Sequence, residues 1–123
     1  MMASPKRFGF PVDVRLRRPD EYKRTLTSGK RVHCELLMAV VTTNQTASPR
    51  LGLAIAKRQT RLAHERNRVK RIARECFRLH QAEWPSFDCV VMAKAGIENV
   101  SNPELHLMMK QLFDKVAARC VGS

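Results

Sequence analysis

The sequence predicts an α+β fold, a single-domain sandwich of helices on a small mixed sheet in the order α-β-β-α-β-α. Three observations carry this expectation. Residues 50–57 alternate apolar and small side chains with a period of two, the mark of a strand with one buried face. Residues 61–83, and again those after 102, repeat their apolar positions at helical spacing. Runs rich in Val, Leu and Thr at 32–43 and 87–94 supply the other strands. At 123 residues with 44% hydrophobic content, the chain suits one core and one domain, 1–123, with residues 1–7 expected to be flexible.

Each element has a local cause. Pro19-Asp20-Glu21 opens a short helix, since proline's missing amide costs nothing in the first turn and acids there favour the helix dipole. Tyr22 and Leu26 lie four apart on one face of it, and Ser28-Gly29 stops it. Val32–Thr43 reads as one strand and Asn44–Pro49 as a polar loop. In Arg50–Lys57, Leu51, Leu53 and Ile55 face a core, while Gly52, Ala54 and Ala56 leave the other face bare enough for a helix or a nucleic-acid strand to approach. A long helix over Arg61–Glu83 gathers Leu62, Val69, Ile72, Ala73, Cys76 and His80 on one arc and ends at Trp84-Pro85. Phe87–Lys94 is the next strand. Ser101 or Asn102 caps a last helix whose apolar positions are Leu105, Met108, Met109, Leu112, Phe113, Val116 and Cys120. That helix is nearly neutral and is expected to be scaffold.

Composition narrows the function classes. The apolar runs Leu36–Val41 and Cys89–Ala93 are too short to span a bilayer, and the first ten residues lack the apolar stretch of a signal peptide, so no membrane role and a cytoplasmic location are expected. Cys34, Cys76, Cys89 and Cys120 show no metal-ligand spacing and are expected to pack as buried free thiols.

The net charge is +12, and it is concentrated. Residues 1–31 hold nine Lys/Arg against three Asp/Glu, and residues 50–82 hold ten against two, whereas 32–49 and 83–123 each come to −1. A directed positive field of this kind suits a polyanion. On the long helix Arg66, Lys70, Arg74 and Arg78 form a row four residues apart, with Asn67 and Arg71 beside it. Like charges at that spacing destabilise a helix by a few tenths of a kcal/mol per pair, and Glu65 and Glu75 are too few to neutralise them. A merely solvated face would not keep that cost, so an anionic ligand is the favoured reading, and nucleic acid the favoured anion. Because the basic arc lies off the apolar one, its arginines are expected to be dispensable for folding.

The segment HERNRVKRIARECFRL, centred on Arg66-Asn67-Arg68, closely resembles the signature helix of the bacterial ribonuclease P protein component. Phe10-Pro11 with Arg15-Leu16 and Pro19–Tyr22 resembles that family's N-terminal region. Arg50-Leu51-Gly52-Leu53 with Ala56-Lys57-Arg58 resembles its central strand, and Asp88–Gly96 its last strand and turn, so the likeness covers roughly 8–120. The resemblance implies a fold with a left-handed βαβ crossover. It implies a protein subunit of a tRNA 5′-processing endoribonuclease whose catalytic centre, with its Mg2+, lies in the RNA. The implied partners are the catalytic RNA subunit and precursor tRNA, with no obligate protein partner. By position, Lys57, Arg58, Arg66, Asn67, Arg68, Lys70, Arg71 and Arg74 become contacts to the catalytic RNA. Tyr22, Leu26, Ala54 and Ala56 line the cleft for the 5′ leader. Four positions depart from the family pattern: Leu26 replaces a second aromatic, Arg18 stands where a small hydroxyl cap is usual, and Ala54 and Ala56 stand where some relatives carry serines.

Hydrolysis by the protein itself would need a convergent histidine pair or clustered carboxylates. His33, His64, His80 and His106 show no pairing by spacing, and the carboxylates are dispersed. His80 is expected to be a partly buried helix residue. Three rival classes are an RNA-binding protein with no part in processing, a DNA-binding protein using the basic helix in a major groove, and a protein nuclease. Precursor tRNA offered to the chain alone, to the RNA subunit alone and to both together separates them.

Overall fold

The computed structural model describes Leu16, residues 19–43 and residues 49–121, apart from the side chains of residues 83, 120 and 121. The expectations that fall on Phe10-Pro11, Arg15, Arg18, residues 1–7, the greater part of the Asn44–Pro49 loop and the Cys120 side chain lie outside the described residues.

The elements are α1 (Pro19–Ser28), β1 (Lys30–Cys34), β2 (Leu37–Thr43), β3 (Arg50–Leu53), α2 (Ala63–His80), β4 (Phe87–Ala93) and α3 (Asn102–Val121), with short 3-10 turns at Gln81–Glu83 and Ile97–Asn99. The four strands form one mixed sheet in the order β1-β2-β4-β3. The β1–β2 and β2–β4 pairs are antiparallel, and β3 and β4 are parallel neighbours joined through α2, a βαβ crossover. The mixed α+β sandwich is as expected, with three corrections of extent: the stretch 32–43 is two strands, the strand expected over Arg50–Lys57 ends at Leu53, and the long helix expected over Arg61–Glu83 spans Ala63–His80.

The stretch expected to be a single strand is a hairpin. It breaks at Glu35-Leu36, where Cys34 faces Leu37 across a two-residue turn. Glu35 sits in the left-handed region at φ 54°, where a non-glycine residue is uncommon. No Gly, Asn or Pro marks this turn, so the sequence carries no local signal for it. The turn is held instead by tertiary contacts: the Lys94 amide donates to the Leu36 carbonyl at 2.8 Å, and Leu36 packs on the core. The gain is a fourth strand, which buries Val32 and Cys34.

The core lies between one sheet face and α2 with α3. Val32, Leu37, Ala39, Val41, Leu51, Phe87, Cys89 and Val91 meet Val69, Ile72, Phe77, Leu105, Met109, Leu112 and Phe113 in one cluster. Phe77 and Trp84 contact each other and both Phe87 and Phe113 in it, with centroid separations of 5.2–6.4 Å, the spacing at which edge and offset ring contacts are favourable. The long helix is shorter than the periodicity suggests. It starts at Ala63, and Leu62, assigned to the apolar arc, stands just before it and is 58% exposed. His80 is half-buried against Trp84, as expected. At α3 the cap is Ser101: its hydroxyl accepts from the Glu104 amide while Glu104 reaches back to the Ser101 amide, a reciprocal capping box. Cys34, Cys76 and Cys89 are buried free thiols, and burial pushes the Cys76 thiol up to about 11.

The opposite sheet face is covered by α1, so β4 is buried on both sides. Gly29 ends α1 where a side chain has no room, since a Cβ there would lie 2.6 Å from Val40 Cγ1. Beneath α1 sits a carboxylate with no solvent exposure, Asp88. Arg50, its register partner on β3, grips it with Nε at 2.9 Å and Nη2 at 2.8 Å, and Arg24 of α1 adds a bond at 3.0 Å. Arg50 also reaches Glu21 of α1 at 2.9 Å. A buried charge is tolerated only when it is paired and hydrogen-bonded in this way. The Asp88 hydrogen bond, ahead of its charge, raises the Arg50 guanidinium above its ordinary value.

Asp88→Ala should therefore lower stability by about 3–5 kcal/mol, the usual cost of leaving one buried ion-pair partner alone. Urea unfolding checks this, and a loss below about 1 kcal/mol, the size of an exposed pair, would show that the network does not hold α1 to the sheet.

Candidate nucleic-acid interface

The cations of α2 divide by geometry into two groups. Asn67, Arg71 and Arg74 are exposed and Lys70 is half-buried, while Val69, Ile72, Ala73, Cys76 and Phe77 point into the core. Arg66 is half-buried, and its Nη1 donates to the carbonyls of Thr60 at 3.0 Å and Arg61 at 2.8 Å. It thereby fixes the turn that leads into the helix, a turn tightened further by the Gln59 and Thr60 amides on the Ala56 carbonyl. Lys57 and Arg58 are exposed on that turn. Arg66 thus positions two other cations of the site as well as carrying its own charge.

Arg68 is a correction to the expectation that the basic arc is separate from folding. Its side chain is 15% exposed, and the guanidinium bonds Glu65 at 2.9 Å, Asn102 at 2.8 Å and the Ile97 carbonyl at 3.3 Å. It ties α2 to the turn before α3 and to the start of that helix. Spacing alone places Arg68 among the cations. Only the packing of α3 beside α2 supplies the acceptors that draw it inward.

The second candidate region lies at α1 and β3. Tyr22 is half-buried with its ring over Gly52, where an added Cβ would lie 2.9 Å from ring atoms. Its hydroxyl accepts from the Leu53 amide at 3.2 Å. That amide belongs to β3, whose outer polar groups have no strand partner among the described residues. The Leu16 amide covers the same edge at the Leu51 carbonyl, 2.9 Å away. The bare strand face thus receives a helix at Gly52. Past the strand end, Ala54 is half-buried and Ala56 exposed, and the Ala54 amide continues the ladder to the Val91 carbonyl at 2.9 Å. Leu26, one turn along α1 from Tyr22, is 42% exposed. The network of Arg24, Arg50, Glu21 and Asp88, which sets where α1 sits, was not anticipated. A lone acid in the apolar run Phe87–Val91 was its sequence signal.

Among the described residues no group of three His, Cys, Asp or Glu could hold a metal ion. The buried carboxylate, Asp88, is already bound by two arginines. These side chains do not fit a magnesium site. His64 lies beside Glu65 and His106 beside Glu75. Among the described residues no helix is long and apolar enough to cross a membrane.

These features define a small basic α+β protein whose crossover helix carries an exposed row of cations beside a helix-covered edge strand. The family model for Ribonuclease P matches residues 10–117. Similar proteins include the ribonuclease P protein components of Pseudoalteromonas atlantica, 38% identical over 93% of this chain and 95% of that one, and of Escherichia coli O157:H7, 36% identical over 95% and 98%. Among solved structures, the fold resembles the RNase P protein of Staphylococcus aureus at a TM-score of 0.76, with 20% identity over 83% of this chain and 94% of that one. The Thermotoga maritima RNase P protein gives 0.70, with 24% identity over 85% and 96%. The chain belongs to the ribonuclease P protein component family.

Arg68→Ala is expected to destabilise the fold by about 1–3 kcal/mol, since it removes the donor to Glu65 Oε1, the Asn102 side chain and the Ile97 carbonyl. Arg74→Ala should leave stability within about 0.5 kcal/mol, as for other exposed substitutions. Thermal unfolding of both variants checks the division, and equal melting temperatures would refute it.

Proposed function

We propose that this chain is the protein subunit of a ribonuclease P holoenzyme, binding the catalytic RNA subunit and the 5′ leader of precursor tRNA so as to assist Mg2+-dependent removal of the leader. It acts in the cytoplasm, and its contribution is binding. The magnesium ions and the hydrolytic centre belong to the RNA. The observation that carries this reading is the exposed row of Asn67, Arg71 and Arg74, with Lys57 and Arg58 beside it, on the crossover helix of a ribonuclease P family fold.

The RNA-subunit surface comprises Lys57, Arg58, Arg66, Asn67, Arg68, Lys70, Arg71 and Arg74. Arg66 and Arg68 have a double role there, holding the turn and α3 while adding to the local potential. Arginine's planar fork suits phosphate oxygens, and each phosphate neutralised adds about 0.9 to the salt slope in duplex or about 0.7 in a single strand. The leader runs past Tyr22, Leu26, Ala54 and Ala56. With one aromatic ring in place of two, base stacking there is reduced by about 1–3 kcal/mol for the lost contact. Contact through the sugar–phosphate chain correspondingly matters more.

The test is cleavage of precursor tRNA by the RNA subunit over a magnesium series, with and without this protein. The protein should tighten substrate binding and lower the magnesium required, because its cations screen phosphate repulsion. Unchanged substrate affinity and magnesium demand would refute the proposal. Tyr22→Ala should retain RNA-subunit binding and lose the affinity advantage of substrates that carry a leader over those that lack one. An equal loss for both substrates would place Tyr22 in the scaffold alone.

A further inference from the structure

At the edge of the sheet opposite β3, β1 and the last turns of α3 enclose a groove of about 590 Å³ lined by Arg31, Val32, His33, Lys115, Ala118 and Arg119. Val32 is the buried residue among them, and the other five are exposed. Among the described residues no carboxylate lines the groove. The neighbouring Asp114 is held by Lys110, with both oxygens 2.9 Å from its Nζ. Lys115 and Arg119 stand four apart on α3, where like charges repel. Lys115 Nζ donates to the His33 carbonyl at 3.1 Å, which fixes a helix cation against the edge strand.

That bond also reports how β1 is turned. In a strand the amide and carbonyl of one residue face the same side, and residues two apart repeat the direction. The amides of His33 and Arg31 therefore look outward with the His33 carbonyl, away from β2. Three cationic side chains and the outward amides of Arg31 and His33 line one concavity, and Lys115 already occupies the His33 carbonyl that faces the same way, so the excess of donors suits phosphate oxygens. Among the described residues the groove offers no ring on which a base could stack apart from the imidazole of His33, so it favours a backbone without regard to sequence.

We propose that this groove is a second anion site, one that takes the phosphate backbone of a duplex segment of RNA distinct from the segment held by α2. The edge strands β1 and β3 are three strand spacings apart, about 14 Å at ~4.8 Å each. The groove thus engages a separate stretch of the same RNA, and it increases affinity by linking two contacts on one rigid body. The identity of that RNA rests on the ribonuclease P reading above. The site itself rests on the groove.

The decisive experiment measures binding of ribonuclease P RNA to the full chain over a potassium chloride series, for wild type, Arg31→Ala/Arg119→Ala and Arg31→Lys/Arg119→Lys. The alanine pair should lower the slope of log K against log salt by about 1.8, the value for two phosphates of a duplex, and the lysine pair should keep it. In parallel, acylation of wild-type amines read by mass spectrometry should show Lys115 losing reactivity when the RNA is added, a readout that does not depend on the variants folding. A folded alanine pair with unchanged slope, or a Lys115 equally reactive with and without RNA, overturns the second site while leaving the proposed function intact. A wild-type chain with no salt-sensitive affinity for the RNA overturns both.

Discussion

The fold turns on one buried carboxylate. Asp88 lies at the start of the parallel β3–β4 pair, under α1, with no access to water. A charge in that position is costly unless its lone pairs are filled, and the bidentate Arg50 with Arg24 fills them. Because Arg50 is on β3 and Arg24 and Glu21 are on α1, satisfying one acid fixes three elements at once. The position of α1 in turn sets Tyr22 over Gly52 and its hydroxyl on the Leu53 amide. The edge strand is thereby capped, and the surface offered beside it is small and rigid.

On the other face the same economy governs the basic helix. One arc of α2 is buried through Val69, Ile72, Ala73, Cys76 and Phe77, so the remaining arc must carry whatever charge the helix holds. Two arginines of that arc are drawn into structural duty. Arg66 secures the turn bearing Lys57 and Arg58, and Arg68 secures the start of α3. Rigid placement of the cations matters for a polyanion ligand, because ordering flexible side chains on binding would reduce the affinity gained from each phosphate. The internal hydrogen bonds of Arg66 and Arg68 therefore serve recognition indirectly, by presenting their neighbours already ordered.

How far the sequence was readable depended on whether the determining signal was local. The proline start of α1 and the polar cap before α3 are short-range signals, and those helices begin where they were placed, whereas the alternation of Arg50–Lys57 yields a strand over Arg50–Leu53 alone, because the turn closed on the Ala56 carbonyl leads the chain away toward α2. The hairpin at Glu35-Leu36 escaped because its turn has no characteristic residue and is held by Lys94, far along the chain. Leu62 fits the helical period yet lies outside the helix, since the turn fixed by Arg66 delays the start to Ala63.

The residues alone determined the α+β class, the amphipathic helices and the concentration of cations on the segment around Arg66-Asn67-Arg68, because periodicity and charge are properties of neighbours in sequence. Tertiary structure decided which of those cations face outward, since the acceptors that claim Arg68 arrive on a different helix. It also decided that Arg31, Lys115 and Arg119 share one groove, although Lys115 and Arg119 come from a segment that is nearly neutral when read along the chain. Proximity between distant segments is set by sheet order and helix packing. No linear pattern in the chain encodes it.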